Sequence, residues 1–333
     1  MKKRWNIYKN MMSGVSQLLP FVVAGGIFIS LSFLIDSSFS NSPIALWFND
    51  TGTLIMGLLL PVLGGFIAYA IADKPGLVPG FVAGALATTG NSGFLGALIG
   101  GFVAGYITLL LIKIFSKLPR VLHGLNPMLI FPVLGTLFVA LIMIGVNIAV
   151  EPVTTAVQAF LSNLNGVGAI LIGLIAAGLM AIDLGGPVNK ITYMIGIASI
   201  IGGSQSILMA AIMVGGMIPP LGIAGATLLF KNKFNEKERQ LGKKNWAMGS
   251  IFITEGAIPF TEDGPKITIP ILVIGSALAG ALVGLFQTSI AIPHGGIFVI
   301  AFMHNWWGFV IALVSGMIAT SILLGLFLPS KQE

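Results

Sequence analysis

The chain has 333 residues, of which 56% are hydrophobic and only 8% are charged, whereas soluble domains carry roughly 25% charged residues. Together with a mean hydropathy of +1.00, this composition excludes a soluble domain and predicts an all-α polytopic membrane protein. The absence of cysteine excludes a thiolate nucleophile and a cysteine metal site, and the net charge of +6 indicates short cytoplasmic loops rather than nucleic-acid binding.

The first half of the chain predicts alternating full and short membrane helices. A span at about Gly14–Leu34 follows a basic segment with no small-residue cleavage site, so we expect a cytoplasmic N-terminus and no removed signal peptide. The loop 36–50 has no Lys or Arg and is expected outside, before a second span at Thr53–Ile71. The Gly- and Ala-rich stretch Leu77–Ile112 is too short for two full spans. It predicts a short or re-entrant helix, a turn at 88–92 and a full helix.

The middle of the chain predicts a division into two halves. A basic, cytoplasmic loop around 113–123 precedes a full span at Met128–Val150. Residues 151–166 have no Lys or Arg and an amphipathic pattern, so we interpret them as a linker along the outer surface. This linker separates an N-terminal membrane half, 1–150, from a C-terminal membrane half, 167–333.

The second half begins with a predicted pair of short segments. Val167–Ile182 enters the membrane and ends at the turn 183–190, and the following apolar piece, Ile191–Ile201, is too short to span alone. Gln205–Phe230 is long enough to span, and its Pro219–Pro220 pair is predicted to kink it.

The last part of the chain begins with the most polar segment. Lys231–Asn245 predicts a cytoplasmic loop and a docking surface for a soluble partner, and Trp246–Phe260 is again too short for a normal crossing. A span at Ile267–Phe286, a short apolar piece at Ile297–Met303 and a final span at Gly308–Leu328 complete a total of about ten membrane segments. The basic residue that follows the final span predicts a cytoplasmic C-terminus.

The stretch 250–266, SIFITEGAIPFTEDGPK, carries the strongest candidate site residue. Glu255 lies inside an apolar run that Gly256 and Pro259 interrupt. A carboxylate beside a broken helix in so apolar a chain predicts a polar site within the membrane. Carboxylates, amides and imidazole supply the donors and acceptors that a hydroxyl-rich ligand needs. The predicted substrate-binding residues are Glu255, Thr254, Asn189, Asp183, Lys190, His294 and Asp263. No metal-ligand spacing and no cofactor motif is evident.

Each of these residues also has a structural interpretation. Glu255 could cap a neighbouring half-helix, and Asp183 could pair with Lys190 across the turn. The pair Glu262–Asp263 could be solvated at the interface, and His294 could cap a helix at the outer face. A membrane carboxylate is costly when buried, which favours function for Glu255 over a purely structural role.

Four segments resemble the membrane (IIC) subunit of the bacterial phosphotransferase system for fructose-type sugars. They are SGVSQLLPFVVAGGIFISLSFLID, DLGGPVNK, ITEGAIPF and IPHGG, which occur in the family's order along almost the whole chain. DLGGPVNK and ITEGAIPF carry most of the specificity. The match departs from related families at Phe252, where their G-I-T-E-like motif has glycine.

The resemblance implies a IIC-type fold with re-entrant hairpins, a homodimer in the bacterial inner membrane and an elevator-like movement. The N-terminal half is then the scaffold and dimer contact, and the C-terminal half is the transport domain. A separate IIB protein, itself phosphorylated by IIA, transfers phosphate to a hydroxyl of the bound sugar. Glu255 corresponds to the family's sugar-binding Glu and is the predicted catalytic residue.

Two alternatives from other functional classes remain open from the sequence. An ion-coupled secondary transporter would use Glu255 or Asp183 as a proton site. A membrane scaffold or sensor would bind no sugar. Within the leading class, fructose is the expected substrate, and mannosylglycerate, polyols or another hexose are alternatives, because one sequence does not define the shape of the pocket.

Overall fold

A computed structural model describes residues 6–36, 42–116, 125–200, 205–262 and 264–331. Regular structure in these residues is helical, apart from two isolated β-bridges, Ser206 with Ile290 and Ser289 with His304. Within these described ranges, seven helical segments are long and apolar enough to cross a membrane, and Gly166–Ile182 is a shorter apolar helix. The predicted all-α membrane fold is therefore confirmed, although the count of about ten segments is approximate.

The described part of the first half contains six α-helices. Ser42 begins the second of them by accepting a hydrogen bond from the Ala45 backbone, and Pro43 occupies its first turn. The second predicted span therefore begins earlier than Thr53, because residues of the expected outer loop are helical. The six helices are α1 (Ile7–Ile35), α2 (Pro43–Gly57), α3 (Leu59–Ala72), α4 (Leu77–Thr89), α5 (Gly93–Phe115) and α6 (Phe131–Ser162).

The short helix and the full helix predicted within 77–112 are α4 and α5. Asn91, in the turn between them, has a φ of 53°, a left-handed conformation that asparagine tolerates. Asn147 of α6 ties this turn down: it accepts a hydrogen bond from Ser92 at 2.6 Å and donates one to the Leu86 carbonyl at 2.9 Å. The helical hairpin is thus fixed to α6 by side-chain bonds at its tip.

The segment 151–166, expected to be a surface linker, is helical as far as Ser162. It continues α6 without a break, and Pro152 lies within the helix. By internal contacts the chain forms two compact units, Met1–Ile29 with Ser42–Ala159 and Ser30–Asn41 with Phe160–Glu333. The roles expected for the two halves remain predictions.

The second unit is built around a buried helix. This helix, α9, is covered along its whole candidate span and continues through Pro219 and Pro220. Its neighbours include two helices, α7 and α8, that form a hairpin before it, as the short apolar segments predicted. The six α-helices of this half are α7 (Gly166–Ile182), α8 (Pro187–Ile200), α9 (Ile207–Leu229), α10 (Glu236–Ser250), α11 (Pro265–Leu285) and α12 (Trp306–Phe327).

The polar segment 231–245 is not a loop for most of its length, contrary to expectation. Asn235 begins α10 with a capping box, because its side chain accepts from the Glu238 backbone and Glu238 accepts from the Asn235 backbone. A buried stripe, Gly242, Asn245 and Gly249, recurs at helical spacing and packs on α9. The polar composition of this segment indicated solvent exposure, which we interpreted as a loop, whereas most of the segment is a solvent-exposed helix.

Candidate functional site

Asp183 and Asn189 close the turn between α7 and α8. The Asp183 carboxylate accepts hydrogen bonds from the backbone N–H groups of Val188, at 2.6 Å, and Asn189, at 2.9 Å. These donors belong to the first turn of α8 and have no partner within that helix. The Asn189 side-chain amide donates to the Met180 carbonyl of α7 at 2.6 Å. Asp183 is therefore positioned as a helix cap, and Asn189 as a brace between the two helices.

The other polar residue of this turn, Lys190, is half-buried and forms no ion pair within the described ranges. The alternative in which Asp183 pairs with Lys190 is therefore not realised. The Asn189 side-chain oxygen accepts no hydrogen bond from the described part of the chain. It is the one acceptor in the Asn189 amide that a ligand could use.

Glu255 lies against this same turn. It is in a short 3-10 helix, Thr254–Phe260, and its Cγ and Oε1 atoms lie 2.7 Å from the position that a Cβ on Gly185 would take. Gly185 has a φ of 100°, which also favours glycine there. The Glu255 side chain is exposed, and its carboxylate accepts no hydrogen bond from any described residue. Glu255 therefore caps no helix among the described residues, and the cap of α8 is Asp183.

Thr254 anchors this 3-10 helix to the buried helix α9. Its side chain is only 3% exposed, and its hydroxyl donates to the Gly216 carbonyl at 2.9 Å. The hydroxyl is therefore committed to holding the backbone beside Glu255, and its contribution to a ligand site is positional.

Phe252 stands where related motifs have glycine, and its surroundings show how a phenylalanine is accommodated there. Its φ of 65° is in the left-handed region, where glycine carries no steric penalty. The ring offsets this strain by packing: it lies 5.6 Å from the Tyr193 ring, edge-on, and 5.2 Å from the His294 ring. Phe252 is buried, so its ring forms the wall behind His294.

His294 is held from two sides. Its Nδ1 lies 3.3 Å from the Tyr193 hydroxyl, and the proton of that hydroxyl is donated to the Pro293 carbonyl at 3.1 Å, so the hydroxyl oxygen accepts from Nδ1–H. The imidazole Nε2 has no hydrogen-bond partner among the residues described. His294 therefore offers one ring nitrogen to a ligand and uses the other to fix its orientation.

Tyr193, Gly185 and the packing role of Phe252 were not predicted from the sequence. Tyr193 lies four residues after Asn189, so it occupies the same face of α8, which was the available signal. Asp263 lies outside the described residues, and the neighbouring Glu262 is exposed. Within the described ranges, no group of three His, Asp or Glu side chains could hold a metal ion.

Comparison with known proteins gives consistent matches. Residues 12–275 match the family described as "Phosphotransferase system, EIIC". A "PTS system fructose-specific EIIABC component" of Bacillus subtilis is 44% identical over 96% of this chain and 51% of that protein. A "Fructose permease IIC component" of Bacillus amyloliquefaciens is also 44% identical, over 83% of this chain and 90% of that protein. The chain spans about half the length of the EIIABC relative.

A similar fold occurs in a solved structure, the transporter ChbC, described as the IIC component of an N,N'-diacetylchitobiose-specific phosphotransferase system. The TM-score is 0.57 at 13% identity, and the match covers 98% of this chain and 92% of ChbC. At this low identity the likeness concerns the fold alone.

Proposed function

Because this chain belongs to the EIIC family of the phosphotransferase system, we propose that it carries fructose, or a closely related sugar, across the bacterial inner membrane. A separate IIB protein phosphorylates the sugar at the cytoplasmic side. The Bacillus subtilis relative is described as fructose-specific and the Bacillus amyloliquefaciens relative as a fructose permease, which supports this substrate. The EIIABC relative includes A and B components in its name, which supports IIA and IIB as partners.

The observation that carries this proposal is the Glu255 carboxylate, exposed and unbonded beside the Gly185 turn within the described structure. Sugar hydroxyls donate to such a carboxylate, and each charge-assisted bond contributes roughly 1.5–3 kcal/mol. The free Nε2 of His294 and the free oxygen of Asn189 add two further polar contacts. The three groups are all hydrogen-bond acceptors, one of them an anion, and they suit the hydroxyl protons of a polyhydroxylated ligand.

Glu255 is also the proposed catalytic residue of the coupled reaction. The accepting hydroxyl attacks the phosphorus held by IIB, the bond from phosphorus to the IIB residue breaks, and the hydroxyl proton leaves. Glu255 orients that hydroxyl and accepts its proton. The family resemblance implies that the residues that carry the phosphoryl group belong to IIB and IIA.

The topology and assembly form part of the same proposal. Both termini lie in the cytoplasm, because basic residues flank the first and last spans. The chain works as a homodimer through its N-terminal half, as the family resemblance implies, and its C-terminal half moves the sugar.

The test is a panel of sugars offered to membranes that contain this chain with cognate IIA and IIB. We expect fructose phosphorylation that requires phosphoenolpyruvate and all three components. Sugar uptake that proceeds without phosphoenolpyruvate and stops when the proton gradient is dissipated would instead establish the secondary-transporter alternative.

A further inference from the structure

A cleft of about 350 Å³ lies at the polar end of α9, away from Glu255. One wall is the last turn of α9, and the other is formed by residues of α10. We call it the basic cleft. Its lining includes six charged or large apolar residues: Leu228, Lys231, Glu236, Arg239, Lys243 and Trp246.

The basic cleft offers uncommitted positive charge. Arg239 is paired with Glu236 at 3.1 Å, and the Gln240 amide donates to the same carboxylate at 2.9 Å. The Gln240 hydrogen bond and the charges of Arg239 and Lys243 hold the pKa of Glu236 below its usual range, so this carboxylate stays ionised. Lys231 and Lys243 form no ion pair with any described residue. The cleft is therefore lined by three cations, Lys231, Arg239 and Lys243, against the one carboxylate of Glu236, which leaves a net positive charge for an anion.

Apolar surface adjoins these charges. Leu228 is 61% exposed, its neighbour Leu229 is 65% exposed, and Trp246 is 38% exposed. The candidate span α9 ends at Leu229, so Lys231 comes directly after the membrane helix, where phospholipid headgroups lie. Tryptophan is enriched at that level. A soluble anion would gain nothing from the exposed leucines, whereas an amphiphile uses both surfaces.

We propose that the basic cleft binds the phosphodiester headgroup of an anionic phospholipid. Lys231 and Lys243 neutralise the headgroup, Trp246 borders it at the interface, and an acyl chain lies along Leu228. Basic pockets beside membrane helices recognise lipid headgroups in this way. Because α10 continues toward the 3-10 helix that carries Glu255, the lipid would also hold the α9–α10 corner in place.

The test measures retention of phosphatidylglycerol by the purified protein, with phosphatidylcholine as the zwitterionic comparison, by native mass spectrometry from detergent. The variant is Lys231→Gln/Lys243→Gln. The matched control is Lys237→Gln/Lys244→Gln, which removes the same charge from exposed positions that do not line the cleft. We expect the variant to bind phosphatidylglycerol roughly 30-fold more weakly, since each cation near the headgroups contributes about 1 kcal/mol and about 1.4 kcal/mol is tenfold.

A charge-conserving variant, Lys231→Arg/Lys243→Arg, should retain phosphatidylglycerol and shows whether the pair acts through charge. Equal retention in the two Gln double variants, or equal retention of the two lipids by the parent, overturns the proposal. Two further arms separate other occupants. If inorganic phosphate raises the Tm of the parent as much as phosphatidylglycerol does, the site takes a free anion and the lipid proposal fails. If the Gln variant in the cleft loses IIB binding and keeps the lipid, the surface is a protein dock and the proposal also fails.

Discussion

Replacing Gly185 by alanine should disable the proposed sugar site without removing any polar group. The added Cβ would lie 2.7 Å from Cγ and Oε1 of Glu255. Because the optimal distance between nonbonded carbon atoms begins at about 3.5 Å, the Glu255 side chain must move away by close to 1 Å. The backbone conformation at φ 100° adds a strain of roughly 1–3 kcal/mol for a residue with a side chain.

The size of the effect on binding follows from that displacement. Losing one charge-assisted hydrogen bond between Glu255 and a sugar hydroxyl costs roughly 1.5–3 kcal/mol. Since about 1.4 kcal/mol corresponds to tenfold, Gly185→Ala should weaken fructose binding by roughly 10- to 100-fold. The assay is calorimetric titration of fructose into purified protein, with phosphorylation by IIB measured on the same preparations.

Gly178→Ala is the matched control, because Gly178 lies in α7 of the same hairpin and its nearest neighbour would be 3.5 Å from the new Cβ. Alanine favours a helix over glycine by roughly 0.5–1 kcal/mol, so this variant should bind normally and be slightly more stable. A second control combines Gly185→Ala with Glu255→Gln. If the alanine acts by displacing Glu255, the Gln substitution should add little in its presence. Normal binding by well-folded Gly185→Ala protein would refute the contact between Gly185 and Glu255.

Three further predictions concern neighbouring residues and the topology. Glu255→Gln should weaken fructose binding by roughly tenfold or more and reduce the phosphorylation rate further, measured on the same protein; parental values would remove Glu255 from the site. Asn189→Ala should lower stability by roughly 1–3 kcal/mol in thermal unfolding, because it leaves a carbonyl of α7 unsatisfied, and an unchanged Tm would contradict this bracing role. Single cysteines at Lys237 and Asn163 should react with impermeant reagents from opposite sides of the membrane, and labelling from one side would overturn the topology.

The sequence predicted the membrane helices well where composition and length decided them. Leu77–Ile112 had to contain a short and a long helix, because its length excluded two full crossings. The sequence-based prediction was wrong at α10, because high polarity is common to loops and to helices that lie in water. Asn235 followed by Glu238 was the available signal, since this spacing is that of a capping box.

The site was predicted in its residue types more than in its geometry. Glu255 was proposed as a ligand-binding residue from the cost of an apolar surrounding. Its carboxylate is exposed and accepts no hydrogen bond from the described residues, and its role in binding stays a prediction. Its contact with Gly185 joins positions far apart in the chain, which no local pattern encodes. Asp183 looked equally functional in the sequence, but its carboxylate is taken up by the backbone of α8. A single sequence does not distinguish a carboxylate that caps a helix from one that faces a ligand.

The bonds from Asp183 and Asn189 determine how the α7–α8 hairpin can open. The Val188 and Asn189 amide protons can exchange with water only when the Asp183 carboxylate releases them. The Asn189 side chain adds a bond in the other direction, from α8 to the Met180 carbonyl of α7. The turn is therefore held by bonds from both helices and should not act as a hinge. We therefore expect the hairpin to move as a rigid body during transport. Any bending should occur at the ends of α7 and α8 that are distant from this turn.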